Sequence, residues 1–414
     1  MRHLFYGMPA PCHDHGFGRL TTDHCFGGFI LKKAIKGNHA VSHGVRLSKV
    51  GVISAYPITP QTTIVEELSQ MCAAGDLKAR FIKVESEHSA MAALIGAATA
   101  GVRTFTATSG NGLLLMHEVL HWTAGARLPI VMATVNRAVS GVWNIWAEQT
   151  DSLAQRDTGW IQIYCESSQE LLDGVIMAYK LAEKVMLPVM IAYDAFFLSH
   201  TTEIVDIPDQ EPVDLFIPPY VPPVPFTFDN PRMFGGFFAT DYFYEHRYTL
   251  QLAAQEALEY YPEVCREFAR SFGRTYDLIE TYHTEDAEVI LVTAGAITSV
   301  SRITVDQMRD RGVRVGLMKL RLFRPVPVDC WRKALGNAGK VVVIDRNLSV
   351  GLGGVFASEI RSVLYGSAHR PPIYSVIAGL GGRDVTPEDV EGILNHVLAQ
   401  DEPSDAPLFW GLKK

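Results

Sequence analysis

No two of the six cysteines form a CxxC pair, so the chain encodes neither a cysteine-held iron–sulfur cluster nor a zinc ribbon. It has no P-loop, no GxSxG and no GxGxxG, which removes the local signatures of phosphate-cradling NTPases, serine hydrolases and dinucleotide-binding folds. Positive charge is not in excess. A net charge of −8 argues against nucleic acid or an anionic membrane surface as the main partner. Nor is there a run of about 18 apolar residues free of charge. The best candidate, Val175 to Leu198, is broken by Lys180, Glu183, Lys184 and Asp194, so no membrane span is expected. With no apolar signal core near Met1, the expected compartment is the cytoplasm. Internal repeats and low-complexity tracts are also missing.

What the chain does hold is ordinary globular material. Its 414 residues, 48% hydrophobic and 20% charged, suffice for two or three domains with real cores. Residues 1–36 are Gly- and His-rich without a period and read as an arm. Within it, Cys12-His13-Asp14-His15 and His24-Cys25 are metal-capable types at a spacing that matches no metal-site pattern, and the plainer reading is a surface arm packing on a neighbour. From Gly37 the pattern alternates strand and helix, the mark of a parallel sheet covered on both faces. A first domain is expected over 37–215 and a Pro-rich connector with a long helix over 216–284. A second domain is expected over 285–400 and a tail over 401–414. The expected class is α/β, with two doubly wound parallel-sheet domains.

Ligands in such sheets bind outside the carboxyl ends of the strands. Four predicted strand ends carry polar groups there: Tyr56 to Thr59, Glu87, Ser109 to Gly112, and Asn136-Arg137. Thr59 is placed to cap a helix whose first residue is Pro60. That would offer a small carboxylate or phosphate a hydroxyl and free N–H groups, although a Thr before a helix is often a cap and nothing more. Arg137 offers a planar fork for a carboxylate, or equally a structural ion pair. Glu87 opens Ala90 to Gly101, a segment so uniformly small and apolar that it reads as a buried helix. A carboxylate there is either an acid/base group or an answer to the helix dipole, and Glu85 suits the second role better.

Taken in one order, several segments resemble the α subunit of the 2-oxoacid:ferredoxin oxidoreductases, of the pyruvate:ferredoxin oxidoreductase type. They are Tyr56-Pro57-Ile58-Thr59-Pro60, Ser86-Glu87, Thr108-Ser109-Gly110-Asn111-Gly112-Leu113, Asn136-Arg137-Ala138 and Gln155-Arg156-Asp157-Thr158-Gly159-Trp160. Leu320-Arg321-Leu322-Phe323-Arg324-Pro325 and Asp345-Arg346-Asn347-Leu348-Ser349 extend the likeness to about Gly382. The resemblance implies a pyrimidine-binding-like domain for thiamine diphosphate followed by a transketolase C-terminal-like domain. Glu87 would hydrogen-bond N1′ of the aminopyrimidine, favouring the tautomer whose 4′ nitrogen takes the thiazolium C2 proton. Ser109, Gly110 and Asn111 would join it in binding the cofactor. Thr59 and Arg137 would hold the 2-oxoacid carboxylate, with Tyr56 lining the pocket.

The chain has no Gly-Asp-Gly turn, the kind that grips a metal-bound diphosphate in thiamine enzymes, and no metal ligands are assigned to it. By the same resemblance a β subunit holds the diphosphate and Mg2+. The other expected partners are a γ subunit and a ferredoxin-like δ subunit carrying iron–sulfur clusters. The implied reaction is CoA-dependent oxidative decarboxylation of a 2-oxoacid to acyl-CoA and CO2. Electrons would pass to ferredoxin, or to NAD where a flavin subunit is attached. Two departures bear on substrate: Gly141-Val142 precedes Trp143 where a Pro is common, and Glu148 stands where an Asp is common. They suggest a pocket reshaped over Ser140 to Asp151, for pyruvate or for an aromatic 2-oxoacid such as phenylglyoxylate. The competing readings are a non-catalytic assembly subunit of the same fold and a Rossmann dehydrogenase, the latter disfavoured by the missing fingerprint.

Overall fold

A computed structural model describes residues 31–413. The His- and Cys-bearing part of the arm lies outside them. In chain order the first half runs β1 (Leu31–Lys36), α1 (Gly37–Leu47), β2 (Val52–Ala55), α2 (Thr62–Ala74), β3 (Arg80–Lys83), α3 (Glu87–Thr99), β4 (Thr104–Thr108), α4 (Gly110–Leu115) and α5 (His117–Gly125). It continues β5 (Val131–Asn136), α6 (Thr150–Leu153), β6 (Ile161–Tyr164), α7 (Ser168–Val185), β7 (Val189–Asp194), β8 (Thr202–Ile207) and α8 (Gln210–Phe216). After the connector come α9 (Thr240–Phe272), β9 (Ile279–Tyr282), β10 (Val289–Thr293), α10 (Ile297–Asp310), β11 (Val315–Leu320), β12 (Leu322–Arg324) and α11 (Val328–Leu335). The chain closes with β13 (Lys340–Asp345), α12 (Val355–Tyr365), β14 (Ile373–Ile377), α13 (Pro387–Leu398) and β15 (Leu408–Phe409).

Two open sheets result, as the alternating pattern predicts. The first has strand order β12-β6-β7-β5-β4-β2-β3 and is parallel except for β12. The second is ordered β15-β14-β13-β10-β11-β9 and is parallel except for β9. Strands β5 and β7 are buried at every residue, which is why their sequences run apolar without alternation. Helix α7 is buried on nearly all sides under α1 and α9. In the first sheet β3 lies to one side of β2 and β4 to the other, so the winding reverses between β2 and β4. Crevices form at such reversals, and α3 crosses over this one.

The structure departs from the sequence reading in several places. Leu31–Lys36, expected as the end of an arm, is a strand paired antiparallel with β8. Pro60 does not begin a helix; α2 starts at Thr62. Helix α3 is buried on one face only, leaving Ala92 and Gly96 exposed. Strand β12, from the second half of the sequence, forms the edge of the first sheet, because Leu322 and Phe323 bury beneath it. Ser167-Ser168-Gln169-Glu170 reads in sequence as a capping box, but only half of it forms: Ser167 accepts from the Glu170 N–H at 3.2 Å, and the Glu170 carboxylate turns elsewhere. It accepts from the Glu166 N–H at 2.7 Å and from Lys319 Nζ at 2.8 Å, and it pairs with Arg321. No described helix is long and apolar enough to cross a membrane.

Those partners belong to opposite halves of the chain and all three side chains are buried. Burial opposes ionisation of Glu170, but Arg321 and then Lys319 outweigh it and hold the carboxyl below its ordinary value. Its stabilisation is therefore present above the ordinary carboxylate range and lost as pH falls through the lowered value. Glu170→Gln would leave buried Arg321 without its carboxylate and Lys319 with Glu166 alone, at a cost of about 3–5 kcal/mol. Denaturant unfolding of the purified chain is expected to show that loss, and a change under about 1 kcal/mol would mean water reaches the cluster.

Candidate active site

The β2 end is held by polar side chains from distant positions. Gln61 donates to the carbonyls of Ala107 at 2.6 Å and Tyr56 at 3.3 Å, binding the ends of β2 and β4 together. Asn38 donates to Pro60 O at 2.8 Å and Thr63 Oγ1 at 2.7 Å, and is itself held by Tyr193 OH at 2.7 Å. Thr59 consequently lies in a turn, closed by Gln61 N–H on Ile58 O at 2.9 Å, and Thr59-Pro60 is a cis peptide. The expected N-cap role of Thr59 is thereby corrected: Gln61 occupies the N-cap position and makes no side-chain cap. Thr59 and Tyr56 are exposed at the rim of the crevice.

Glu87 is the first residue of α3. The N-cap is Ser86, whose hydroxyl accepts from the Ser89 N–H at 3.2 Å. Exposed Glu85 is engaged there too, accepting from the Ser89 hydroxyl, which lowers its pKa. Glu87 is different: it is only 5% exposed. Among the described residues its carboxylate has no hydrogen-bond or ion-pair partner. A Cβ added at Gly112 would meet Glu87 Oε1 at 2.4 Å and Thr108 Oγ1 at 2.7 Å, so the carboxylate lies directly against that backbone. The buried Thr108 hydroxyl likewise has no partner. An acceptor, a hydroxyl and a bare stretch of backbone converge at one point.

Arg137 ends the same row. It is 4% exposed, and its Nη1 donates to Thr59 O at 2.7 Å. Its Nε is buried without a partner, above Gly110, where a Cβ would come within 2.5 Å of it. Gly110 has φ +49, a left-handed conformation that suits glycine. Burial lowers the Arg137 pKa while Asp151 and Glu87 oppose that shift, so the two carboxylates lie within electrostatic reach of the guanidinium. Ser109, expected among the cofactor-binding residues, spends its hydroxyl on Val135 O at 2.5 Å. Asn111 is exposed on the rim. The structure thus sets Glu87 against Gly112 and Thr108, sets Thr59 and Gly110 against Arg137 within electrostatic reach of Glu87, leaves Tyr56 and Asn111 exposed, and turns the Ser109 side chain inward.

Asp151 has no site role in the sequence reading. It is fully buried behind Gly110 and Arg137 and accepts from both of their N–H groups, at 2.8 and 3.1 Å. The sequence reading takes the chain to have no HExxH, and this is corrected: His117-Glu118-Val119-Leu120-His121 on α5 is such a string. Its two rings lie edge to face with centroids 5.0 Å apart, and His117 Nδ1 is within 2.6 Å of Gln155 Oε1. The described residues contain no group of three or more potential metal ligands, so the string lacks the third ligand that a zinc site requires.

The fold is α/β, with polar groups gathered at the carboxyl ends of β2, β4 and β5, and comparison with known proteins places it among thiamine-diphosphate-binding proteins. Residues 43–265 match the family model for the pyruvate flavodoxin/ferredoxin oxidoreductase thiamine-diphosphate-binding region, and residues 287–390 match pyruvate:ferredoxin oxidoreductase core domain II. The pyruvate synthase subunit PorA of Methanothermobacter thermautotrophicus is 47% identical over 93% of this chain and 99% of its own length. The ketoisovalerate oxidoreductase subunit VorA of Pyrococcus horikoshii is 46% identical over 88% of this chain and 93% of its own. The chain belongs to the 2-oxoacid:ferredoxin oxidoreductase family, among its α subunits. Two solved structures share the fold. A 2-oxoglutarate:ferredoxin oxidoreductase from Magnetococcus marinus superposes with TM-score 0.68 at 22% identity, over 89% of this chain and 65% of that one. A split-gene transketolase, an inactive β4 tetramer, gives 0.52 at 13% identity, over 88% of this chain and 99% of that one.

The approach of Gly112 to Glu87 gives a direct check. Gly112→Ala places a methyl group where the carboxylate now sits. The variant is expected to fold but to retain much less thiamine diphosphate in the assembled protein, measured by cofactor analysis after gel filtration. Wild-type content would mean that Glu87 moves aside freely.

Proposed function

We propose that this chain is the α subunit of a multi-subunit, thiamine-diphosphate-dependent 2-oxoacid oxidoreductase. The reaction is CoA-dependent oxidative decarboxylation of a 2-oxoacid to acyl-CoA and CO2, with electrons leaving through iron–sulfur clusters of partner subunits to ferredoxin. One observation carries this reading: Glu87 is buried, unpartnered and pressed against the Gly112 backbone. A carboxylate with no hydrogen-bond partner at such a position keeps its accepting capacity free for a donor supplied by a ligand. The residues fit the aminopyrimidine of thiamine diphosphate, with Glu87 holding a proton against a ring nitrogen and the unpartnered Thr108 hydroxyl beside it. When bound, that cofactor supplies the carbanion chemistry of decarboxylation. The Gly110 and Asn111 backbone forms the adjoining wall.

Arg137 and Thr59 face the 2-oxoacid carboxylate, with Tyr56 at the rim. A non-catalytic assembly role would not need Thr108 Oγ1 and Arg137 Nε left buried without partners so close to Glu87 and Gly110. A β subunit would supply the diphosphate and Mg2+ site, and γ and δ subunits the rest of the electron path. Exposed apolar side chains beside the crevice, Leu115 and Trp122 among them, suit burial against such partners.

For the acyl group, an aromatic 2-oxoacid is the reading that the loop after Arg137 favours. It carries Val142 and Trp143 at 82% and 78% exposure, apolar surface available to line a larger substrate. Steady-state kinetics of the assembled complex on pyruvate, 3-methyl-2-oxobutanoate and phenylglyoxylate decide this point. A higher kcat/KM for the arylglyoxylate is expected, and a strong preference for pyruvate would exclude it.

Glu87→Gln is expected to lower turnover by about 100- to 10,000-fold, the range for a lost acid/base group, with assembly intact. A near-normal rate would remove Glu87 from the chemistry. Arg137→Ala is expected to raise KM for the 2-oxoacid about tenfold or more, in keeping with a lost charged contact. An unchanged KM would reduce Arg137 to a brace for the Thr59 turn.

A further inference from the structure

We infer that Asp151 is a positioning residue for the 2-oxoacid site, its carboxylate fixing the separation between the Gly110 wall and the Arg137 guanidinium. The inference rests on the function proposed above. Asp151 comes from α6, a helix of four residues, and is 0% exposed. Its Oδ2 accepts from Gly110 N–H at 2.8 Å and from Arg137 N–H at 3.1 Å, so a single oxygen joins the ends of β4 and β5. Its Oδ1 accepts from Asn136 Nδ2 at 2.7 Å and from Ser152 N–H at 2.8 Å, which fixes the plane of the carboxylate. Asn136 is held in turn by Ser152 Oγ at 2.7 Å, and that hydroxyl lies 2.8 Å from Tyr164 OH.

All four contacts are donors pointing at the carboxylate. An amide at the same place satisfies only half of them, since its NH2 must face either the Gly110 and Arg137 pair or the Asn136 and Ser152 pair. Two donors then oppose two donors, and the loops separate. Gly110 is already confined between Asp151, on its N–H side, and the Arg137 side chain. Any shift of Gly110 is therefore passed to the guanidinium. The same buried charge faces Arg137 electrostatically, together with Glu87.

Loss of a positioning group should weaken substrate binding more than it slows the bound complex. In the assembled holo complex, calorimetric titration with oxamate reads binding of a 2-oxoacid-like carboxylate without turnover. For Asp151→Asn the oxamate Kd and the 2-oxoacid KM are expected to rise about tenfold or more, while kcat changes by less than about threefold. Asp345 supplies the control: it is an equally buried carboxylate holding Asn347 and the Phe356 and Ala357 N–H groups at the start of α12. Asp345→Asn should leave the oxamate Kd unchanged. An unchanged Kd in Asp151→Asn, or an equal rise in Asp345→Asn, overturns the inference. If Asp151→Asn fails to assemble, Asp151→Glu keeps the charge but displaces both oxygens, and the same rise is expected; wild-type affinity there also overturns it. Failure of the wild-type complex to turn over any 2-oxoacid would instead sink the proposed function itself.

Discussion

A carboxylate set against bare backbone, with no hydrogen-bond partner among the described residues, is the constraint around which the first half of the chain is arranged. Glu87 is carried to this position by α3, whose N-terminus falls where the winding of the first sheet reverses. Gly112 lets the backbone of α4 close over it without contact from a side chain. Left without a hydrogen-bond partner inside the chain, such a group has its accepting capacity free. The Thr108 hydroxyl and Arg137 Nε nearby are also buried without partners.

The second half of the chain is more than an appended domain. Asp194, at the end of β7, accepts from Ala296 N–H at 2.7 Å and from Arg346 Nη1 at 3.2 Å, joining the carboxyl ends of both sheets. Glu170 makes a second buried junction with Lys319 and Arg321. The loop that leaves Arg137 is pinned to the second half as well. Asn144 donates to Gly381 O at 3.1 Å and Gly382 N–H to Ala147 O at 2.9 Å, while within the first half Trp146 packs on Phe196 with ring centroids 4.2 Å apart. Anything that shifts the Gly379–Gly382 turn therefore bears on the loop that follows Arg137.

The strand ends that form the crevice were legible in the sequence because turns are punctuated locally. Pro57-Ile58-Thr59-Pro60, Ser86-Glu87 and Ser109-Gly110-Asn111-Gly112 each mark where a strand stops and a polar group is presented. The alternation of apolar runs with capped helices likewise carried the α/β class. What was not legible depends on long-range pairing. Thr59 looked like a helix cap, but Gln61, bonded to a carbonyl 46 positions away, holds that turn in another shape. Asp151 carried no local signal, since its partners Gly110 and Arg137 lie 41 and 14 residues off. The three residues of β12 are too few to show a period, and only the finished sheet reveals their place. The bare face of α3 was hidden because small residues look alike whether or not something covers them.

The most direct measurement is an experimental structure of the assembled complex with thiamine diphosphate bound. The Glu87 carboxylate is predicted to lie within about 2.6–3.2 Å of the pyrimidine ring nitrogen, with the ring seated against Gly112. A ring bound elsewhere, or a Glu87 side chain turned away from it toward solvent, would contradict the account.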